Sequence, residues 1–86
     1  MARGAFRVGD SDSRGDIMVT GSPNVYVNGR RLTRVGDIDN DIPPDRMVTG
    51  SPTVITNGRM TSRRGDIDND NEVTSSFSGD TFIGPN

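Results

Sequence analysis

The sequence predicts an all-β fold, a pseudo-threefold ring of short β-hairpins with essentially no α-helix. Three observations carry that prediction: an internal repeat, an Asn-Gly turn inside each copy, and chain ends that together spell a third copy. Residues 18–41 read MVTGSPNVYVNGRRLTRVGDIDND, and residues 47–70 read MVTGSPTVITNGRMTSRRGDIDND. The second copy starts at Met47, 29 residues after Met18, and runs without a gap.

Within each copy the hairpin is legible. Gly-Ser-Pro at 21–23 and 50–52 marks the entering turn. Asn28-Gly29 and Asn57-Gly58 are the residues a two-residue type I′ turn requires, because both of its central positions have positive φ. That turn sets Val27 opposite Arg30, Tyr26 opposite Arg31 and Ile55 opposite Met60. Apolar residues nowhere recur at helical spacing.

The ends supply the third unit. Arg7-Val8-Gly9-Asp10 stands where Arg34-Val35-Gly36-Asp37 stands, and Thr81-Phe82-Ile83 aligns with Thr53-Val54-Ile55. One domain over 1–86 therefore follows, with its third unit split between 79–86 and 1–12. Such a ring is cut inside a hairpin, so the first and last strands pair and Met1 lies beside Asn86. Superposing the units brings Val25, Val54 and Phe82 to one position, the expected axial core layer. Val8 and Val35 belong to another, with Arg64 as third member.

Composition narrows the function. Only 29% of the 86 residues are hydrophobic and 5% aromatic, a low share for a globular chain. Ordering costs about 1–2 kcal/mol per residue, so backbone pairing and a permanent partner must offset what the core cannot. Cys and His are absent and every basic residue is Arg, which removes thiolate, imidazole and Schiff-base chemistry. A pair of carboxylates can hydrolyse glycosides, yet short hairpins offer little cleft to desolvate them, and no enzyme is expected. The net charge of −2 gives no attraction to nucleic acid. No apolar run reaches the length of a signal segment or membrane span, so synthesis in the cytoplasm as a soluble building block is expected.

The remaining chemistry lies in Gly-Asp-x-Asp, present in all three units, with Asp12, Asp39 and Asp68 equivalent and Asp41 and Asp70 following. Three readings are open. The carboxylates bond their own backbone in Asx-type turns; or they pair with Arg14, Arg46 or Arg64; or they converge on a hard cation such as Ca²⁺ or Mg²⁺, which prefers oxygen ligands. The first needs nothing further, and no metal or cofactor is expected. Arg14-Gly15-Asp16 and Arg64-Gly65-Asp66 match adhesive tripeptides, but the second falls at a repeat's turn. The Asp-Ile-Asp-Asn-Asp segments lack the Gly and Glu of an EF-hand loop.

Taken together, Gly21-Ser22-Pro23, the strand Asn24-Val25-Tyr26-Val27, the turn Asn28-Gly29-Arg30 and the run Leu32-Thr33-Arg34-Val35-Gly36-Asp37, with their copies at 50–66, resemble the PAAR-repeat family. Of the eponymous tetrapeptide only the Arg is kept, in Arg31-Leu32-Thr33-Arg34 and Met60-Thr61-Ser62-Arg63. The resemblance implies a small cone that caps the trimeric β-helical spike of a contractile tail baseplate, one copy per trimer, and helps pierce the target envelope. It implies a phage virion component, with a type VI secretion system or tailocin as the alternative setting and no added effector segment. An Asp-rich, cation-dependent surface-binding module is the alternative of another class. Family members hold an apical zinc through His and Cys, neither of which this sequence contains.

Overall fold

The computed structural model describes residues 2–84. Met1 and Asn86, whose adjacency the split third unit requires, lie outside the described residues. Six two-residue strands are formed: β1 (Arg3–Gly4), β2 (Tyr26–Val27), β3 (Arg30–Arg31), β4 (Ile55–Thr56), β5 (Arg59–Met60) and β6 (Phe82–Ile83). They pair antiparallel as β2–β3, β4–β5 and β1–β6. Arg3 faces Ile83 and Gly4 faces Phe82, so the chain ends close the third hairpin. The described residues contain no helix, and the molecule measures 31 × 24 × 23 Å.

Local chemistry fixes each hairpin. Asn28 and Gly29 have φ of +55° and +76°, and Asn57 and Gly58 have +54° and +78°, the left-handed pair that a type I′ turn needs. At the entering turn a fully buried serine organises the backbone. Ser22 Oγ accepts the N–H groups of Asn24 and Val25. Ser51 Oγ does the same for Thr53 and Val54, and Ser78 Oγ for Asp80 and Thr81.

Those serines correct the sequence alignment of the third unit. They place Thr81, not Phe82, at the position of Val25 and Val54, one residue away from the Thr-x-Ile match. Strand side chains alternate faces, so a one-residue slip moves every residue to the opposite side. Phe82 is accordingly 57% exposed, alongside Tyr26 at 58% and Ile55 at 53%. Val27, Thr56 and Ile83 take the buried position. The expected axial layer of Val25, Val54 and Phe82 does not form: Val25 is 37% exposed, and of the three only Val54 packs against the core.

The core is built in small layers, each with one residue per unit. Ala5, Leu32 and Thr61 are buried at one level, beside Val27 and Ile83. Phe6, Thr33 and Ser62 are fully buried at the next, where Phe6 clusters with Met18 and Met47. Here the backbone closes on itself. Phe6 N–H donates to the Ser62 carbonyl (3.2 Å), Ser62 N–H to Thr33 (3.0 Å), and Thr33 N–H back to Phe6 (2.9 Å). A second set of three binds Val8 to Arg31, Val35 to Met60 and Arg64 to Gly4, each at 2.8 Å.

Next along each unit comes a buried ion pair. Arg7–Asp10, Arg34–Asp37 and Arg63–Asp66 form two-point forks, with Nε–Oδ2 distances of 2.7, 3.0 and 3.1 Å. All six residues are at most 8% exposed. The intervening glycines, Gly9, Gly36 and Gly65, have φ near +90° (91°, 93° and 87°), which turns the Asp back onto its Arg. Removing one partner of such a pair strands a buried charge. Arg34→Ala should therefore lower unfolding free energy by about 3–5 kcal/mol, whereas Arg31→Ala, at an exposed site of the same unit, should change it by about 0.5 kcal/mol or less. Urea denaturation of the two variants checks this, and equal midpoints would show that the fork is dispensable.

Candidate functional site

Each hairpin turns one residue to the core and its neighbour away from it. The outward residues, Tyr26, Ile55 and Phe82, form a pseudo-threefold set of large apolar groups more than half exposed. Met60, opposite Ile55 in the β4–β5 register, adds to it at 37% exposure. Single exposed apolar residues need no explanation, but three related by the symmetry of the fold define a surface.

The hairpins are also locked to one another. Asn57 Oδ1 accepts from Ser22 Oγ of the preceding unit (2.6 Å) and from Arg34 (3.3 Å). Asn28 Oδ1 accepts from Ser78 Oγ (2.7 Å) and Arg7 (2.8 Å). The third unit has Gly84 at this position, and Ser51 Oγ donates to its carbonyl. The turn residues Asn28, Gly29, Asn57 and Gly58 thus join neighbouring units as well as reversing the chain.

Beyond the forks lie the carboxylates. Asp12, Asp39 and Asp68 are 6%, 2% and 3% exposed. Each forms an Asx-type turn: Asp12 Oδ1 accepts from the N–H of Arg14 and Asp16, Asp39 Oδ1 from Asp41 and Asp45, and Asp68 Oδ1 from Asp70 and Glu72, all at 2.9–3.0 Å. Asp39 also meets each of the other two. Carboxylate oxygens of Asp12, Asp16, Asp39 and Glu72 lie within 4.8 Å of one another, as do those of Asp39, Asp45, Asp68 and Glu72. Asp41 joins Asp16 and Asp45 in a third such group.

Asp16, Asp45 and Glu72 form a second ring that repeat alignment overlooks. The interval is four residues from Asp12 to Asp16 and from Asp68 to Glu72 but six from Asp39 to Asp45, and the third acid is Glu. A usable signal existed: an acid stands two residues before each of Met18, Met47 and Thr74. Those three residues occupy equivalent bridges, to Asp39, Asp68 and Asp12 respectively.

Arginine does not pair with the first ring. Arg14 Nη1 approaches Glu72 (3.5 Å), Asp70 (3.7 Å) and Asp41 (3.8 Å) from a largely exposed position. The Arg64 guanidinium lies over the Phe77 ring, 5.3 Å from its centre, and Arg46 forms no ion pair among the described residues. An adhesive role for Arg64-Gly65-Asp66 is ruled out by geometry, since Asp66 is buried in the fork with Arg63. Zinc held by nitrogen and sulfur does not fit either, because every donor gathered here is an oxygen.

Asp10 in its fork and four of the clustered acids, Asp12, Asp16, Asp45 and Glu72, shift in opposite directions. Burial alone would raise Asp10, but hydrogen bonds from Arg7 and Ser76 and the Arg7 charge hold it below its ordinary value. Asp12, Asp16 and Asp45 are raised, chiefly by burial, with neighbouring carboxylates adding to it. Burial, then the adjacent Asp68, pushes Glu72 from 4.5 up to about 8. Between those two values the folded chain keeps a proton that the unfolded chain has released, so stability falls as pH rises. In excess chelator, the melting temperature should drop across that window and Glu72→Gln should flatten the drop. A level profile for the parent chain would show that Glu72 ionises freely.

Comparison with known proteins is consistent with this architecture. No curated protein matches the chain significantly. A family model described as the PAAR motif matches residues 8–69, which spans the first repeat, all but the last residue of the second, all three Gly-Asp turns and both Asn-Gly hairpins. With that match covering most of its length, the chain belongs to the PAAR-motif family.

Proposed function

We propose that this protein is the structural tip that caps and sharpens the trimeric spike of a contractile tail baseplate. PAAR-motif proteins form the spike tips of contractile injection and secretion systems, and they associate there with a spike protein. The finer assignment is to a bacteriophage virion, with the tip leading penetration of the target envelope and performing no catalysis. A type VI secretion system or tailocin uses the same class of tip, and recovery of the chain from purified virions decides between the settings.

The observation that carries this reading is the threefold construction of a single chain. A true trimer presents three equivalent contacts at its end, and one asymmetric monomer can meet all three only by repeating its own surface. Tyr26, Ile55 and Phe82 supply such a repeated set, apolar as permanent interfaces are. The closed ring of backbone bonds holds them in fixed relation.

Mixed with its cognate spike, the chain should be recovered at one copy per three spike chains, measured by mass and by cryo-EM. Tyr26→Asp combined with Phe82→Asp should weaken that association by about 30-fold or more, as loss of central aromatic anchors does. The lone variant should melt at the parent temperature, because both side chains point away from the core. A chain that ignores the spike and binds cell surfaces in a cation-dependent way would replace this reading with that of a binding module.

A further inference from the structure

We propose that the six-carboxylate cage formed by Asp12, Asp39, Asp68, Asp16, Asp45 and Glu72 is a binding site for a hard divalent cation of the calcium type. The inference does not rest on the spike-tip role and stands on the geometry of the cage alone.

Acidic groups often cluster on surfaces without a ligand, but the arrangement here differs in a way that demands one. Asp39 and Asp68 are 2% and 3% exposed, and the Oδ2 atom of each is buried without a hydrogen-bond partner. Their Oδ1 atoms are each held by two backbone N–H groups, so the carboxyls cannot rotate away without breaking the turns. Oδ2 of Asp16 and Asp45 and Oε1 of Glu72 are likewise buried and unpartnered. Buried polar atoms ordinarily find partners, and anionic ones most of all. Here five unpartnered carboxyl oxygens come from residues of one cluster.

The chain itself supplies too little positive charge. Arg14 reaches the rim at 3.5 Å from Glu72 Oε2, but its side chain is 59% exposed and contacts neither Asp39 nor Asp68. The three buried arginines are committed to Asp10, Asp37 and Asp66. A bound cation would supply that balance.

Ligand chemistry selects which. The donors are carboxylate oxygens only, the set preferred by hard cations and poor for zinc or copper. Calcium binds six to eight oxygens at about 2.3–2.6 Å, so oxygens on opposite sides of the ion stand about 4.6–5.2 Å apart. Each of the two overlapping groups brings four carboxylate oxygens within 4.8 Å of one another, close enough for them to share one ion. Magnesium dehydrates reluctantly and is usually held through one or two carboxylates and several waters, so a set made of so many carboxylates favours calcium. Asp39 and Glu72 belong to both groups and form the centre of the site.

The test uses the full chain, stripped with chelator and dialysed. Titration with calcium chloride, followed by calorimetry and by melting temperature, should show saturable binding and a higher melting temperature, with magnesium weaker. Asp39→Asn combined with Glu72→Gln should weaken calcium binding by about tenfold or more. In chelator this variant should melt no lower than the parent, because it removes repulsion, and that result separates lost ligands from lost fold. Terbium luminescence on the parent chain gives a second readout of the same site. Absence of heat, of a thermal shift and of any change in directly excited terbium luminescence up to about 10 mM ion, beyond the weakest protein calcium sites, would overturn the proposal. Undiminished calcium binding by the double variant would overturn it equally.

Discussion

Everything in this molecule hangs on the buried fork between Arg and Asp in the Arg-x-Gly-Asp turn. Each Asp accepts Nε and Nη2 of its Arg and also the Arg backbone N–H, as in Arg34–Asp37. The same carboxylate takes a hydroxyl from the next segment: Ser76 for Asp10, Thr20 for Asp37 and Thr49 for Asp66. The other face of the guanidinium reaches a hairpin turn, Asn28 from Arg7 and Asn57 from Arg34. One ion pair thus joins hairpin, turn and returning strand. This explains why Arg alone survives from the tetrapeptide that names the family. Lys, a point charge without a planar fork, cannot hold a carboxylate at two points and a side-chain amide at a third. A buried pair adds little net stability against an apolar substitute, but it fixes which groups may meet. In a chain with so few apolar residues, that specificity is worth more than a larger core.

The core itself shows how a pseudo-symmetric chain solves a problem closed to a symmetric one. Three identical large residues cannot share a narrow axis, and three small ones leave it hollow. At the Phe6 level the chain places one Phe with Thr33 and Ser62, all fully buried. Val27, Thr56 and Ile83 vary in the same spirit one level away. Departing from exact repetition lets side-chain volumes sum to the available space, which native packing density requires. The remaining Thr33 and Ser62 hydroxyls lack partners, a local cost of filling that layer with small polar residues.

Much of this was legible in the sequence because repetition is read directly. The hairpin turns, the pairing of β1 with β6 and the absence of helix follow from Asn-Gly, the repeat and the matching chain ends. Phe82 was misplaced because Thr-Phe-Ile resembles Thr-Val-Ile as letters, whereas the structure counts from the buried serine. Ser51 to Ser78 spans 27 residues and Ser22 to Ser51 spans 29, so one repeat length could not serve both junctions. The second carboxylate ring escaped for the same reason, being set by distance to the following strand and not to the preceding Asp. Burial of the first ring is a tertiary property, and Asx turns alone do not reveal it.

These features explain how so polar a chain holds together. No hairpin of two-residue strands is stable by itself. The cycle from Phe6 to Ser62 to Thr33 and back makes each unit's backbone bond depend on both others. Its last link is long-range, since Phe6 and Ser62 are brought together only when the whole chain has wrapped once round the axis. Loop closure of that kind is costly to begin but adds little per further residue. Once the ring closes, the forks and serine turns are formed in a dry, already ordered setting, where polar bonds are strong and their loss is expensive. Cooperativity here comes from topology and polar complementarity, with apolar burial in a supporting role. The same closure forces the six carboxylates together at the far side of the forks, because rigid turns that must meet for backbone pairing bring their acids with them. The acidic cage is thus a direct outcome of how the ring is sealed.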